Sequence, residues 1–153
     1  MSRFETRVPP VIWWAWAALV VLLVDNSFGD DLLAGWGRVV AVILAVVGFG
    51  IAVLALSGFS KAKTTVDPHG IDKASSLVTD GIYRLTRNPM YLGLLLILVG
   101  WGFWRGTLAG ATIGAIAFIA VITRLQIQPE ERMLTDKFGT DYEAFTQQTR
   151  RWI

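Results

Sequence analysis

Two arginines, two tyrosines and an asparagine–proline pair fall within fourteen residues, Asp80 to Gly93. Asp80-Gly81 reads as a turn. Asn88-Pro89 reads as an N-cap followed by proline at the first helical position. From Met90 to Phe103 the chain then carries no charge. A polar, cationic loop (Tyr83, Arg84, Arg87, Asn88, Tyr91) therefore runs into an apolar helix, whose free amides and positive dipole end face back toward it. Further along, Pro129 precedes Glu130 and Glu131, which reads as a second helix start with acids in its first turn, just after Arg124. Arginines beside apolar helices also serve as interfacial anchors, and acids at a helix start also complement the dipole. Neither role accounts for so many order-imposing residues in one loop. A cationic helix start opposite an acidic one suits a zwitterionic ligand, with a carboxylate at one end and an ammonium or sulfonium at the other.

Other chemistries have little to stand on. The chain has no cysteine, which removes disulfides, thiolate metal sites and a cysteine nucleophile. Its one histidine, His69, sits between Pro68 and Gly70, and no metal-ligand cluster surrounds it. Gly100-Trp101-Gly102 is a G-x-G within an apolar run rather than after a strand, so it is not a dinucleotide fingerprint. The net charge is +2, with no basic, aromatic-interleaved patch, so nucleic acid is not an expected partner.

The elements that must position these residues are membrane helices. Of 153 residues, 54% are hydrophobic and only 17% charged, whereas a soluble domain carries about a quarter charged. The expected fold class is all-α, an integral membrane bundle forming one domain over 1–153. Four transmembrane helices are expected at about 8–25, 38–60, 89–104 and 107–125. A ligand-binding loop spans 61–88 and a helical tail 126–153. No small-x-small site follows the first apolar run, so it reads as a span and not a signal peptide. Lys and Arg number twelve on the side of the termini and the long loop, against Arg38 and Arg105 on the other. The positive-inside rule then places both termini in the cytoplasm, with Trp36, Trp101 and Trp104 in the outer aromatic belt. Gly106, Gly110 and Gly114 form a four-residue ridge suited to helix packing inside the monomer or to a homodimer face. In the tail, Phe138-Gly139 reads as a helix end and Thr140-x-x-Glu143 as a capping box. The closing Arg150-Arg151-Trp152-Ile153 reads as a return to the membrane surface.

The run Leu77 to Tyr83, then Arg87-Asn88-Pro89-Met90-Tyr91-Leu92-Gly93, then Glu130-Glu131-x-x-Leu134 and Phe138-Gly139-x-x-Tyr142, ending Arg151-Trp152-Ile153, resembles the isoprenylcysteine carboxyl methyltransferases and the related phospholipid methyltransferases. The resemblance covers about residues 66–153. It implies an integral membrane enzyme using S-adenosylmethionine at the cytoplasmic face, placed in the inner membrane of a bacterium. By that resemblance the cofactor would contact Leu77, Val78, Tyr83, Asn88, Pro89, Met90, Tyr91 and Glu130, together with Gly100 and Gly102. The family's eukaryotic carboxyl methyltransferases have histidine at the position of Asn88, and a substrate-contacting arginine at the position of Gln126. Arg124 lies two residues earlier and could substitute, so Arg124 and Gln126 are the expected substrate contacts.

Methyl transfer from a sulfonium is an in-line displacement with an intrinsically good leaving group, so no metal is expected. The protein's part is orientation and desolvation, and orientation can contribute roughly 7–11 kcal/mol. Arg87, Tyr91 and Glu131 form the expected catalytic set, with Glu130 a further base candidate where the acceptor is an amine. The expected partners are a lipophilic or small methyl acceptor and membrane lipid. Two other readings remain open at this stage. Sterol reductases share the Arg-x-Pro-x-Tyr-x-Gly pattern but use a nicotinamide cofactor, and a non-catalytic scaffold could use the glycine ridge for a partner.

Overall fold

The computed structural model describes residues 8–28, 35–61 and 76–153. The expectations for Arg3 and Arg7, for Asp30 and Asp31, and for Lys63, Pro68, His69 and Gly70 lie outside the described residues. Those described are all helical or irregular, with no strand among them. In order they form α1 (Pro10–Phe28), α2 (Gly37–Lys61), a 3₁₀ turn (Gly81–Arg84), α3 (Pro89–Arg105), α4 (Leu108–Ile122), a π turn (Thr123–Ile127), α5 (Gln128–Phe138) and α6 (Thr140–Gln148). Helices Gly37–Ser60 and Leu108–Phe138 are long and apolar enough to cross a membrane, and Pro10–Asn26 and Pro89–Arg105 are shorter apolar helices. Val39, Val46, Phe49 and Leu54 of α2 are half or more exposed, an apolar surface that water would not tolerate at this extent.

Glycine sets the helix spacing. A Cβ built on Gly93 would lie 2.5 Å from the Gly48 carbonyl oxygen, and one on Gly48 would lie 2.6 Å from that of Gly93, so α2 and α3 touch backbone to backbone. Gly102 meets Ala111 of α4 in the same manner. Adding a methyl at such a contact forces backbone apart rather than bending a side chain. Gly93→Ala should therefore destabilise the detergent-solubilised protein by about 2–3 kcal/mol. Gly50→Ala, where a Cβ meets nothing within 4 Å, should be neutral or stabilising by up to about 1 kcal/mol. Thermal unfolding of the two variants checks the contrast.

The glycine ridge on α4 is used inside the chain. A Cβ on Gly114 would fall 2.5 Å from Val21 Cγ2, and one on Gly110 would fall 3.1 Å from the Val21 carbonyl oxygen. The ridge receives α1, and the expected homodimer face is not supported. Gly106 serves differently: at φ 81 it ends α3 in the left-handed region, and Thr107 caps α4 by accepting from the Gly110 amide at 3.0 Å. At this end of the bundle Arg105 grips Asp25 with Nε at 2.9 Å and Nη2 at 2.6 Å. Trp36 meets Phe103 edge-on at 6.0 Å. Trp36 and Trp104, two of the three tryptophans expected in a belt, are about half exposed. Trp101 departs from that expectation and packs against the core of Ala17, Val21, Leu98 and Phe118.

The largest departure is at the fourth helix. Instead of stopping near 125 and starting afresh at Pro129, it runs unbroken into α5 through the π turn, with Ile127 and Gln128 both in right-handed helical conformation. Pro129 has no amide hydrogen and its ring would crowd the carbonyl four residues back in a regular helix. The wide turn, in which the Gln128 amide reaches the Thr123 carbonyl, relieves that conflict within the helix. Glu130 and Glu131 are therefore not at a free helix start. Thr140 does not form the expected capping box either: Gly139 holds the cap position at φ 50 with no side-chain cap bond.

Candidate active site

The helices bring the loop before α3 and the tail to the same end of the bundle. Around them is a cavity of about 340 Å³, within the size range of small-molecule sites. Leu77, Val78 and Tyr83 line it from the loop, Asn88 to Tyr91 from the start of α3, and Glu130, Glu131, Leu134 and Phe138 from α5. Phe59 closes it from α2, and Tyr142 and Phe145 from α6. Tyr83 is held edge-on against Phe59 at 5.6 Å, in space that Gly58 leaves open: a Cβ there would lie 3.3 Å from the tyrosine ring.

The polar groups are few and arranged in two sets. Tyr91 donates its hydroxyl hydrogen to Glu130 Oε1 at 2.5 Å. Arg151 donates to Glu131 through Nε at 2.9 Å and Nη2 at 2.6 Å, with Arg87 Nη1 3.4 Å from the same carboxylate and 3.4 Å from the Tyr142 hydroxyl. Asn88 sits at the cap position of α3 without capping it. Its Nδ2 instead donates to the Arg151 carbonyl at 2.9 Å, while its amide donates to Thr86 Oγ1 at 3.1 Å.

The apolar run of α4 ends at Arg124, and about twenty residues of helix suffice to cross hydrocarbon, so Glu130 lies beyond the span. Burial raises its carboxyl to about 7; the hydrogen bond from Tyr91 opposes the rise and the neighbouring Glu131 charge adds to it. Burial, reinforced by the Glu130 charge, pushes the Tyr83 hydroxyl well above its ordinary range. Burial and the Glu131 charge push that of Tyr142 up to about 12, against the lowering effect of Arg87. Both phenols stay protonated near neutrality and can donate. Glu130 is balanced between a carboxylate that accepts a proton or a cation and a neutral acid.

Of the residues expected from sequence, Leu77, Val78, Tyr83, Arg87, Asn88, Pro89, Met90, Tyr91, Glu130 and Glu131 all border the cavity. Four do not. Gly100 and Gly102 lie about 15 Å along α3 from Met90, packed against Ala41 and Ala111. Arg124 is exposed and pairs with Gln128 at 3.4 Å. Gln126 is fully buried and donates through Nε2 to the Val8 carbonyl, which ties the chain's start to α4. Sequence reasoning did not place Phe59, Tyr142, Phe145 or Arg151 at the site. Tyr142 and Phe145 showed as the apolar face of a short helix, and Arg151 as a surface anchor. The signal for Arg151 was Glu131, an acid beside an apolar cavity that needs a cation.

A profile of the phospholipid methyltransferase family matches residues 36–141. A protein of Haemophilus influenzae, itself described as uncharacterised, is 48% identical over 64 residues, covering 42% of this chain and all of that one. The probable protein-S-isoprenylcysteine O-methyltransferase of Oryza sativa subsp. japonica is 29% identical over 111 residues, 71% of this chain and 56% of its own length. The methanethiol S-methyltransferase of Pseudomonas deceptionensis is 28% identical over 146 residues, 88% of this chain and 50% of its own length. The chain thus spans about half the length of these two named methyltransferases. No solved structure matches.

Proposed function

The chain belongs to the phospholipid methyltransferase family, and from that premise we propose that it is an S-adenosylmethionine-dependent methyltransferase of the bacterial inner membrane. In this reading all four apolar helices span the bilayer, both termini face the cytoplasm, and residues 1–153 act as one domain. The observation that carries the proposal is the part-buried pair of Tyr91, at the start of α3, with Glu130 of α5, facing a largely apolar cavity at the cationic end of the bundle.

The residues present fit the cofactor. The cavity pairs aromatic and aliphatic walls with one carboxylate, Glu130, on which no described cation sits, and the sulfonium of a zwitterionic cofactor matches that set. When bound, S-adenosylmethionine supplies a methyl group on a sulfonium, an electrophile that needs no metal. Phe59, Tyr83 and Leu134 exclude water around it, and Tyr91 holds Glu130 in place. Asn88 is fixed to the Arg151 carbonyl and orients the loop rather than reacting.

The acceptor that fits best is a small or lipophilic amine or thiol. The cofactor's own carboxylate would take the unpartnered Nε of Arg87, which borders the cavity; a carboxylate acceptor would then find no free guanidinium, since Arg151 is engaged with Glu131 and Gln126 points to Val8. An amine or thiol brings a proton that must leave as the methyl–nucleophile bond forms and the sulfur–methyl bond breaks. Glu130 is placed to take it; Glu131, bound through both oxygens, is not. A relative matched over 88% of this chain is named a methanethiol S-methyltransferase.

Calorimetric titration of the solubilised protein tests the donor half. Saturable binding of S-adenosylhomocysteine, with none of NADPH at millimolar concentration, is the expected result. The reverse pattern would replace this reading with a nicotinamide-dependent, reductase-like one. Silence toward both ligands would favour a scaffold.

A further inference from the structure

Two neighbouring acids on α5 are handled in different ways, and the chain's last residues make the difference. Glu131 has both carboxylate oxygens in the guanidinium fork of Arg151, a planar bidentate geometry that a lysine cannot reproduce. Arg151 is itself anchored. Its carbonyl accepts from Asn88 Nδ2 at 2.9 Å and from Thr86 Oγ1 at 3.3 Å, and the Arg150 carbonyl accepts from the Arg87 amide at 3.0 Å. Trp152 packs on the core that includes Tyr91 and Ile127. The terminal segment is thus a strap stitched to the loop before α3 and gripping α5. Successive helical residues point about 100° apart, so holding Glu131 against the strap determines where Glu130 points.

We propose that Arg151 is a positioning residue of the methyl-transfer site: its grip on Glu131 sets the rotation of α5 and neutralises one of two adjacent charges, so that Glu130 alone presents a carboxylate to a cationic ligand. Only the last step, the cationic ligand, rests on the methyltransferase reading. The groups facing Glu130 are Tyr91 from α3, Tyr83 from the 3₁₀ turn and Glu131 from its own helix. Those facing Glu131 are Arg87, Arg151 and Tyr142.

The test uses the full chain in detergent and two curves. One is the melting temperature against pH without ligand, and the other is S-adenosylmethionine affinity against pH. In Arg151→Gln, Glu131 keeps only the more distant Arg87, and its less compensated charge disfavours ionisation of Glu130, so the pH-dependent segment of both curves should move up by up to about one unit. Adding Glu131→Gln to that variant should return it to or below the native position, and Arg151→Lys, which keeps the charge but not the fork, should hold the native position on the pH axis while lowering affinity. A merely structural arginine would lower melting temperature or affinity equally at every pH, with no restoration by the second change, and that result overturns the proposal. If Arg151→Gln does not fold, Glu131→Gln alone carries the test: its curve should move to lower pH, and an unmoved curve overturns the proposal. Should the ligand-free curves shift as expected while the native protein binds no S-adenosylmethionine, the methyltransferase reading fails and the role of Arg151 stands. Native binding with unshifted curves has the opposite meaning.

Discussion

Inserting one alanine between Gln128 and Pro129 is expected to lower S-adenosylhomocysteine affinity more than 100-fold, with helical content unchanged. The reason lies in the unbroken helix from Leu108 to Phe138. On its upstream part Gly110, Gly114, Phe118 and Ile122 are buried at four-residue spacing. After Ile122 the π turn adds a residue, so that Gln126 and Ile127 are both buried, and Glu130, Glu131, Leu134 and Phe138 then face the cavity. One added residue downstream of that turn rotates α5 by about 100° and advances it by about 1.5 Å. Glu130 would leave Tyr91, and Glu131 would leave Arg151. Were α5 a separate helix starting at Pro129, as the sequence alone suggests, the junction before it would absorb the insertion. Circular dichroism with calorimetry separates the two cases, and Gln128→Ala, which shifts no register, is the control that should bind as native.

Glu130→Gln should lower methyl transfer by about 10²-fold at pH 8 under saturating donor, the usual range for losing a general base. The same substitution should raise stability. Because the folded-state value of about 7 lies above the ordinary 4.5, the folded protein binds the proton more tightly than the unfolded chain. The stabilisation from Glu130 is whole below about pH 4.5 and is lost as pH rises through about 7. Above that, the anion costs on the order of 3 kcal/mol, which glutamine does not incur. Melting temperatures of native and variant should converge near pH 5 and separate at pH 8, with the variant higher. A variant less stable at pH 8 would show that the carboxylate is held by a cation and not merely buried beside Tyr91.

Apolar run lengths and breakers located the helices to within a few residues, because those features act locally. The start of α3 at Pro89 and the turn at Gly106 depend on proline's missing amide and glycine's left-handed conformation, both written in single residues. The lining of the cavity was legible where one loop carried it: Leu77, Val78, Tyr83 and Arg87 to Tyr91 border it. Elsewhere the deciding facts were relational. Pro129 signals a helix start when read alone, and only the continuing packing of α4 turned it into a π turn inside a helix. Gly100 and Gly102 read as cofactor contacts by analogy, yet their lack of side chains is used for close approach to Ala41 and Ala111. Arg151 and Glu131 are twenty residues apart with a helix between them, and no local pattern joins them. The same holds for Gln126 and Val8, 118 positions apart.

The central claim is that the Tyr91–Glu130 pair forms a methyl-transfer site that takes a proton from its acceptor. The most direct measurement is transfer of labelled methyl from S-adenosylmethionine by purified native and Glu130→Gln protein, with amine, thiol and carboxylate acceptors offered in parallel. Label on the amine or thiol, lost in the variant and rising in the native protein as pH passes about 7, is the expected result. Label on the carboxylate alone, retained by Glu130→Gln and flat across that pH range, would contradict it.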